Sequence, residues 1–234
     1  MEHNQVMERK FFADIAASLG RREPLTQAPD RKLEEVGPPV FWREQDKLKD
    51  KSLELFKVNL EALTGRVEIV KNKTDAQQRL REWVAELKAG SLIAWDHPEL
   101  KELVNPQEPG LNIKFWNKES SRQDLIKFAA QADIGLTWAD YAIAYTGSLV
   151  VFSGENQGRS VSLLPPTHIA VLKRAQIVPT MSTVLKKVKE KYDSGLIPAS
   201  FNMITGPSRS ADIEMDLSIG VHGPYRVWVI VMDT

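Results

Sequence analysis

The sequence predicts an α/β fold in which a mostly parallel sheet is flanked by helices. Short apolar or alternating runs, each as long as a strand, alternate along the chain with amphipathic segments long enough to be helices. The run Val227–Met232 is almost uninterruptedly apolar, which is typical of a central strand. A chain of 234 residues can also bury about 70% of its unfolded surface, so one substantial domain needs no metal or disulfide for stability.

The first 44 residues are predicted to form an appendage. Apolar residues recur at helical spacing from Asn4 to Leu19, and Gly20 ends this predicted helix. The segment from Arg21 to Pro39 then contains four prolines and many charged residues, which indicates an extended strap. We therefore expect an N-terminal helix and proline-rich strap over residues 1–44, and a single α/β domain over residues 45–234.

Helices and strands alternate through the first part of this domain. Apolar residues on one face and a closing glycine indicate the helices, and short apolar or alternating runs indicate the strands. The predicted elements are a helix from Leu48 to Leu63, a strand Arg66–Val70, a helix from its cap Thr74 to Ala89, strands Ser91–Trp95 and Ile113–Trp116, and a helix Ser121–Ala132.

The second part of the domain is richer in strands. Residues Ile134 to Phe152 are dense in Thr, Ile, Ala, Val and Gly, and short apolar runs recur after them. The predicted elements are strands Ser160–Leu164, His168–Leu172, Phe201–Ile204 and Arg226–Met232, with one clear helix, Val184–Tyr192.

Charge and cysteine content exclude several classes of protein. The 31 basic and 31 acidic side chains balance, which argues against binding nucleic acid through bulk phosphate attraction. The absence of cysteine excludes disulfides, thiolate nucleophiles, Cys-ligated zinc and cysteine-held iron–sulfur clusters. No apolar run reaches the ~18 residues of a membrane span, and the polar N-terminus lacks the pattern of a signal peptide. We expect a cytoplasmic protein.

Two segments have the composition of binding loops. Thr146-Gly147-Ser148 can present amide donors to an oxyanion, although a tightly packed strand–turn–strand explains the same small residues. Arg159, beside Ser160, can bind a carboxylate or phosphate through its guanidinium, and the alternative is a surface arginine paired with a nearby acid. His168 begins an apolar strand, where a lone histidine is more often a hydrogen-bonded structural residue than a base or ligand.

A third segment, from Gly206 to Ser210, follows an apolar run and precedes a predicted helix start. Free backbone N–H groups and the positive end of a helix dipole would then form an anion site. Ser208 or Ser210 can instead cap the helix, and Asp212 with Glu214 would repel an anion.

Histidine usage argues against a metal site. The turn around His222 holds one of four histidines, and no two of them have the spacing of a metal-binding pair. We predict no metal, while an oxygen-only magnesium site of Asp and Glu stays open.

Three stretches together resemble the lactate utilization protein C family, whose domain is called LUD. The resemblance is closest over residues 130 to 234 and extends to residue 45. The stretches that carry it are Thr137–Val150, Gly158–Pro165 and Gly206–Pro224.

The resemblance implies a fold related to the NagB/RpiA/CoA-transferase-like proteins. It also implies a role in oxidising L-lactate to pyruvate, beside two partners similar to iron–sulfur oxidoreductase subunits. Clusters would then lie on the partners, with no cofactor on this chain. Where the family commonly has Glu, this chain has Tyr145, and a phenol cannot replace a carboxylate as a base at neutral pH.

Three interpretations follow, and we favour the first, an accessory and non-catalytic subunit of a lactate-oxidising system. The second is a CoA-transferase-like enzyme or binding domain for a small carboxylate, sugar phosphate or CoA ester. The third is a regulatory or scaffolding protein that senses lactate. The candidate ligand-binding residues are Thr146, Gly147, Ser148, Arg159, Ser160, Gly206, Ser208, Arg209 and Ser210, and the candidate acid–base groups are Asp140, Asp212, Glu214 and His222.

Overall fold

The N-terminal part of the chain begins with a helix. The computed structural model describes residues 2–25, 27, 50–195, 198–211 and 217–234. The chain divides into two units, Met1–Glu44 and Gln45–Thr234. Helix α1 of the first unit spans Glu2–Ser18, and Gly20 follows it with a φ of 70°, a left-handed conformation that ends helices. Most of the predicted strap, residues 21–39, lies outside the described residues.

The second unit contains the strands. Twelve strands lie in the described residues, and in chain order they are β1 (Arg66–Val70), β2 (Ser91–Trp95), β3 (Asn112–Trp116), β4 (Ile134–Trp138), β5 (Tyr141–Ile143), β6 (Ser148–Ser153), β7 (Thr167–Lys173), β8 (Ile177–Val178), β9 (Ser200–Ile204), β10 (Arg209–Ala211), β11 (Leu217–Ile219) and β12 (Arg226–Met232).

Six of these strands form the central sheet, in the order β1-β12-β7-β4-β2-β3. Every neighbouring pair is parallel, as in the pairing of Val229 with Val67 on one side and with Ala170 on the other. The central strands β4, β7 and β12 are buried along almost their whole length. They are rich in apolar residues because a parallel sheet inside an α/β protein is covered on its faces. The predicted α/β fold is confirmed.

Helices connect and flank the strands. After α1, the helices in the described ranges are α2 (Ser52–Ala62), α3 (Lys73–Glu86), α4 (Pro98–Leu103), α5 (Arg122–Gln131), α6 (Ser160–Leu163) and α7 (Met181–Asp193), with a 3₁₀ turn at Arg174–Gln176. None of them combines the length and the hydropathy that crossing a bilayer requires.

The start of α3 differs from the prediction. Asn72 is the N-cap, and its side-chain oxygen accepts a hydrogen bond from the backbone N–H of Asp75 at 2.9 Å. Thr74 is the second residue of the helix, so its predicted capping role is wrong. Asn is preferred over Thr as an N-cap, and here the Asn72 side chain satisfies one of the orphan N–H groups of the first turn.

A second, four-stranded sheet has the order β8-β5-β6-β9. Strands β5 and β6 are antiparallel and joined by a short turn. The pairs of β6 with β9 and of β10 with β11 are also antiparallel. Residues 141–153 therefore form the strand–turn–strand that was the structural alternative for this segment.

Two predicted elements are wrong. The predicted strand Ser160–Leu164 is mostly the short helix α6, which packs so closely on β4 that a Cβ at Gly135 would lie 1.8 Å from the Val161 carbonyl oxygen. The helix predicted after Ser208 is instead strand β10, because the backbone of Ser208 is already bonded to Pro224 and Gly220 in an extended arrangement. Apolar or hydroxyl-rich runs this short carry no reliable period.

Candidate functional site

The carboxyl ends of β2 and β3 are covered by one loop. In open parallel sheets, ligands bind in the crevice outside the carboxyl ends of the strands. Here the segment between β6 and α6 crosses those ends. The Trp95 indole N–H donates to the Gly158 carbonyl at 2.9 Å, and the Asp96 N–H donates to the Asn156 carbonyl at 3.2 Å. These bonds fix the loop against the carboxyl ends of β2 and β3.

Gly158 allows the loop to lie flat on the end of β3. A Cβ at this position would lie 2.0 Å from the Trp116 indole, which is far inside van der Waals contact. Only glycine fits, because any side chain would require the indole or the loop to move. Arg159 therefore follows a backbone position held by two tryptophans.

A cleft of ≈ 430 Å³ opens beside this loop. Three cationic side chains line it, Lys118 from the β3–α5 connection, Arg122 from the first turn of α5 and Arg159 from the covering loop. Its lining contains one acid among the described residues, Glu155, whose carboxylate lies 3.5 Å from the Lys118 ammonium. The cleft therefore has an excess of positive charge in a chain whose net charge is zero.

Polar groups without charge also line this cleft. Asn117, Ser120, Gln157 and Ser160 contribute side chains, and Ser200 lies at the wall. The Ser200 hydroxyl oxygen is buried and has no hydrogen-bond partner within the described part of the chain. A buried hydroxyl without a partner is costly, so Ser200 is a locally unsatisfied position of the cleft wall.

The segment around Ser148, which was predicted to bind an oxyanion, does not line this cleft. The Ser148 hydroxyl is hydrogen-bonded to the hydroxyls of Thr146 and Thr205, each at 2.7 Å. Ser148 is 3% exposed. This chain of hydroxyls ties the β5–β6 turn to the end of β9.

Gly147 in that turn makes a close approach to a helix. Its φ is 62°, and a Cβ there would lie 2.5 Å from the backbone nitrogen of Leu60 in α2. The Asn59 side-chain amide donates to the carbonyls of Ala144 and Tyr145 at 2.9 and 3.0 Å. The small residue therefore lets the turn dock on α2, where its backbone is occupied by protein contacts.

The predicted residues from Gly206 to Ser210 also meet the end of α2. The Arg209 guanidinium donates to the Leu63 carbonyl and, at 3.0 Å, to the Thr64 hydroxyl. A Cβ at Gly206 would lie 3.0 Å from the Leu63 Cβ. Cations are favourable at helix C-termini, where carbonyl groups are left without partners. The contact of Arg209 with the end of α2 is therefore a structural one.

Ser208 and Ser210 lie beside or within the antiparallel pair of strands β10 and β11. The Ser208 N–H donates to the Pro224 carbonyl at 2.8 Å, and Ser210 pairs with Ser218 across β10 and β11.

The candidate ligand-binding residues therefore lie in two places. Ser148 begins β6 and Ser153, which lines the cleft, ends it, so the two places are about 17 Å apart along this strand. Arg159 and Ser160 lie at the cleft, whereas the segments around Ser148 and Arg209 lie at the end of α2.

Asp140 and His222, the two candidate acid–base groups that the structure describes, do not line the cleft. Burial raises the pKa of the Asp140 carboxyl, and this carboxylate accepts a hydrogen bond from the Phe152 N–H at 2.8 Å. His222 is exposed in the turn before β12. Asp212 and Glu214 lie outside the described residues. In the described ranges, no three His, Asp or Glu side chains come together as metal ligands.

Lys118 and Arg122 are cleft residues that the sequence analysis missed. A signal for them exists, because both follow a predicted strand, and the carboxyl ends of parallel strands share one edge of the sheet. Their proximity to Arg159 depends on how the covering loop is placed, which no local pattern reveals.

A second group of side chains lies near the carboxyl ends of β2 and β4. After β2 the chain continues to β3 on one side in the sheet, whereas after β4 the next strand of this sheet, β7, lies on the other side. The His97 imidazole stacks on the Trp138 indole with ring centroids 5.1 Å apart, and burial lowers the pKa of His97. The Lys173 ammonium is paired with the Glu99 carboxylate at 2.6 Å. The His97 Nδ1 is nevertheless buried without a hydrogen-bond partner in the described part of the chain, so these contacts leave one polar atom of the group unsatisfied.

Comparisons with known proteins agree with this architecture. The family model described as the LUD domain matches residues 53–232. A lactate utilization protein C of Geobacillus sp. (strain WCH70) is 34% identical, over 95% of this chain and 94% of its own. One from Bacillus subtilis (strain 168) is 33% identical, over 97% and 96%.

A solved structure shares the fold. The crystal structure of a DUF162 family protein from Deinococcus radiodurans has a TM-score of 0.57 and 20% identity, covering 79% of this chain and 98% of its own. The family model spans most of the chain, and the relatives align over nearly their whole length. The chain therefore belongs to the LUD domain family, in the group of the lactate utilization protein C relatives.

Proposed function

We propose that this chain is a cytoplasmic, non-catalytic accessory subunit of a system that oxidises L-lactate to pyruvate. The observation that carries the proposal is the nearly full-length similarity to proteins named for lactate utilization. In this proposal the redox steps take place on partner proteins that resemble iron–sulfur oxidoreductase subunits.

The chemistry of the chain supports this division of labour. Oxidation of lactate to pyruvate releases two electrons and two protons, and the electrons need an acceptor. Protein-held iron–sulfur clusters are bound mainly by cysteine thiolates, and this chain has no cysteine. It also lacks a dinucleotide-binding fingerprint. In this proposal the electron acceptors are therefore on the partners.

The N-terminal helix supports a role in assembly. Large apolar side chains of α1 are exposed, including Val6, Phe11 and Phe12. Apolar surface of this kind on a helix is typical of contact with another protein.

Reconstitution tests the proposal. The chain and two Cys-rich candidate partners are combined, and L-lactate-dependent reduction of a dye is measured with and without this chain. We expect the three proteins to copurify and the activity to fall when this chain is omitted. An unrelated protein of similar size is the control addition. Full activity in the absence of this chain would contradict the accessory role.

A further inference from the structure

We propose that the cleft beside Arg159 binds a small organic phosphate, with Lys118, Arg122 and Arg159 around its phosphate group. This inference does not depend on the role in lactate oxidation.

The first support is local charge. The chain has equal numbers of acidic and basic side chains, so a random surface region is close to neutral. The described lining of this cleft has three cations and one acid. A phosphate monoester carries nearly two negative charges at neutral pH, which matches this excess.

The second support is that two of the cations have no ion-pair partner among the residues that the structure describes. Arg122 and Arg159 make no ion pair with any described residue, whereas Arg66 is paired with Glu86 at 2.8 Å. An unpaired guanidinium keeps its planar set of N–H donors, which fits two oxygens of a phosphate at once.

The third support is the set of neutral donors. Ser120, Gln157 and Ser160 line the cleft, and α5, whose first residue Arg122 also lines it, has no side-chain cap on its N-terminus. A phosphate offers three acceptor oxygens, more than a carboxylate does. The combination of arginines and free hydroxyl and amide donors favours phosphate over carboxylate.

The fourth support is size. A volume of ≈ 430 Å³ lies within the range of about 300–1,000 Å³ that is typical of small-molecule sites. Lactate is far smaller and would leave most of the cleft to water. Trp116 and Leu125 contribute apolar surface, so the organic part of the ligand has a wall to contact.

Binding measurements test this proposal on the full-length chain. Thermal shift and calorimetric titration use glucose 6-phosphate and AMP, with glucose, adenosine, sodium lactate and sodium chloride as comparisons at matched ionic strength. We expect at least one phosphate ester to bind, its dephosphorylated counterpart to fail, and lactate to shift the melting temperature no more than chloride does. Tighter binding of lactate than of either ester would overturn the proposal, as would an absence of binding by both esters.

Variants locate the site. We expect Arg122→Ala and Arg159→Ala each to weaken ester binding about tenfold or more, because each removes a charge-assisted hydrogen-bonding group. Glu155→Gln should tighten binding about two- to fivefold, since it removes the acid of the lining. Lys127→Ala, which removes a positive charge from the exposed part of α5, is the matched control. Unchanged binding by both arginine variants would overturn the assignment.

Discussion

His168 makes the stability of this protein sensitive to mild acid. The side chain is fully buried in β7, and its Nε2 lies 2.8 Å from the Thr137 hydroxyl oxygen in β4. Its Nδ1 is buried without a partner among the described residues. A bare nitrogen lone pair costs less there than an unpaired N–H, so the neutral ring with its proton on Nε2 fits this site. His168 is the structural, hydrogen-bonded histidine that its position in the sequence predicts.

Burial lowers the pKa of His168 from 6.5 to about 4. Below pH 6.5 the unfolded chain takes up a proton that the folded chain refuses until the pH falls to about 4. The free energy of unfolding therefore decreases over this window as the pH falls. A difference of one pKa unit corresponds to about 1.4 kcal/mol, so the contribution is a loss of about 2 kcal/mol at pH 5 and about 3 kcal/mol below pH 4.

Urea denaturation of the parent chain and of His168→Gln, at pH 7 and pH 5, measures this contribution. The amide of Gln can still meet the Thr137 hydroxyl but does not titrate. We expect the variant to be less stable at pH 7 and to lose about 2 kcal/mol less than the parent between the two pH values. His222→Gln, at an exposed histidine, should lose as much as the parent. If His168→Gln also loses as much as the parent, burial of His168 is not the source of the acid sensitivity.

Two further substitutions test the packing. Gly135→Ala should lower the free energy of unfolding by more than about 3 kcal/mol in urea denaturation, because its Cβ would overlap the Val161 carbonyl oxygen. In Gly90→Ala the nearest atom is 3.9 Å away, so a similar loss there would contradict the steric argument. Arg209→Ala should cost about 1 kcal/mol through its lost contacts with α2, while binding of phosphate esters should stay unchanged.

The central sheet is the part of the fold that local patterns predict best. The predicted bounds of β1, β2 and β12 agree with the structure to the residue. β2 and β12 are buried apolar runs, whereas β1 is a half-exposed edge strand whose polar and apolar residues alternate from Arg66 to Ile69. All three lie between clear helices or turns, so the local pattern points to one element. The short helix α6 was mistaken for a strand, because four residues are too few for a helical period to show. Its conformation is set by close packing on Gly135, a contact distant in sequence.

The candidate site residues, too, are predicted only in part by local sequence patterns. Arg159 stands out in the sequence as a cation in a glycine-containing loop, and the structure places it at a charged cleft. Gly147 and Arg209 have the same type of local signal, yet both are engaged in contacts with α2. Glycine and arginine serve a tight protein contact as well as they serve a ligand, so only the identity of the neighbour distinguishes the two uses.

Gly158 and Trp116 form a coupled pair. The indole fills the space that a Cβ at position 158 would need, and a smaller residue at position 116 would leave a cavity under the covering loop. Either change alone is penalised, but Gly158→Ala combined with Trp116→Leu removes the clash and fills part of the space. The energies of the two changes should therefore be non-additive in a double-mutant cycle. In descendants of this sequence, positions 116 and 158 are expected to change together or not at all.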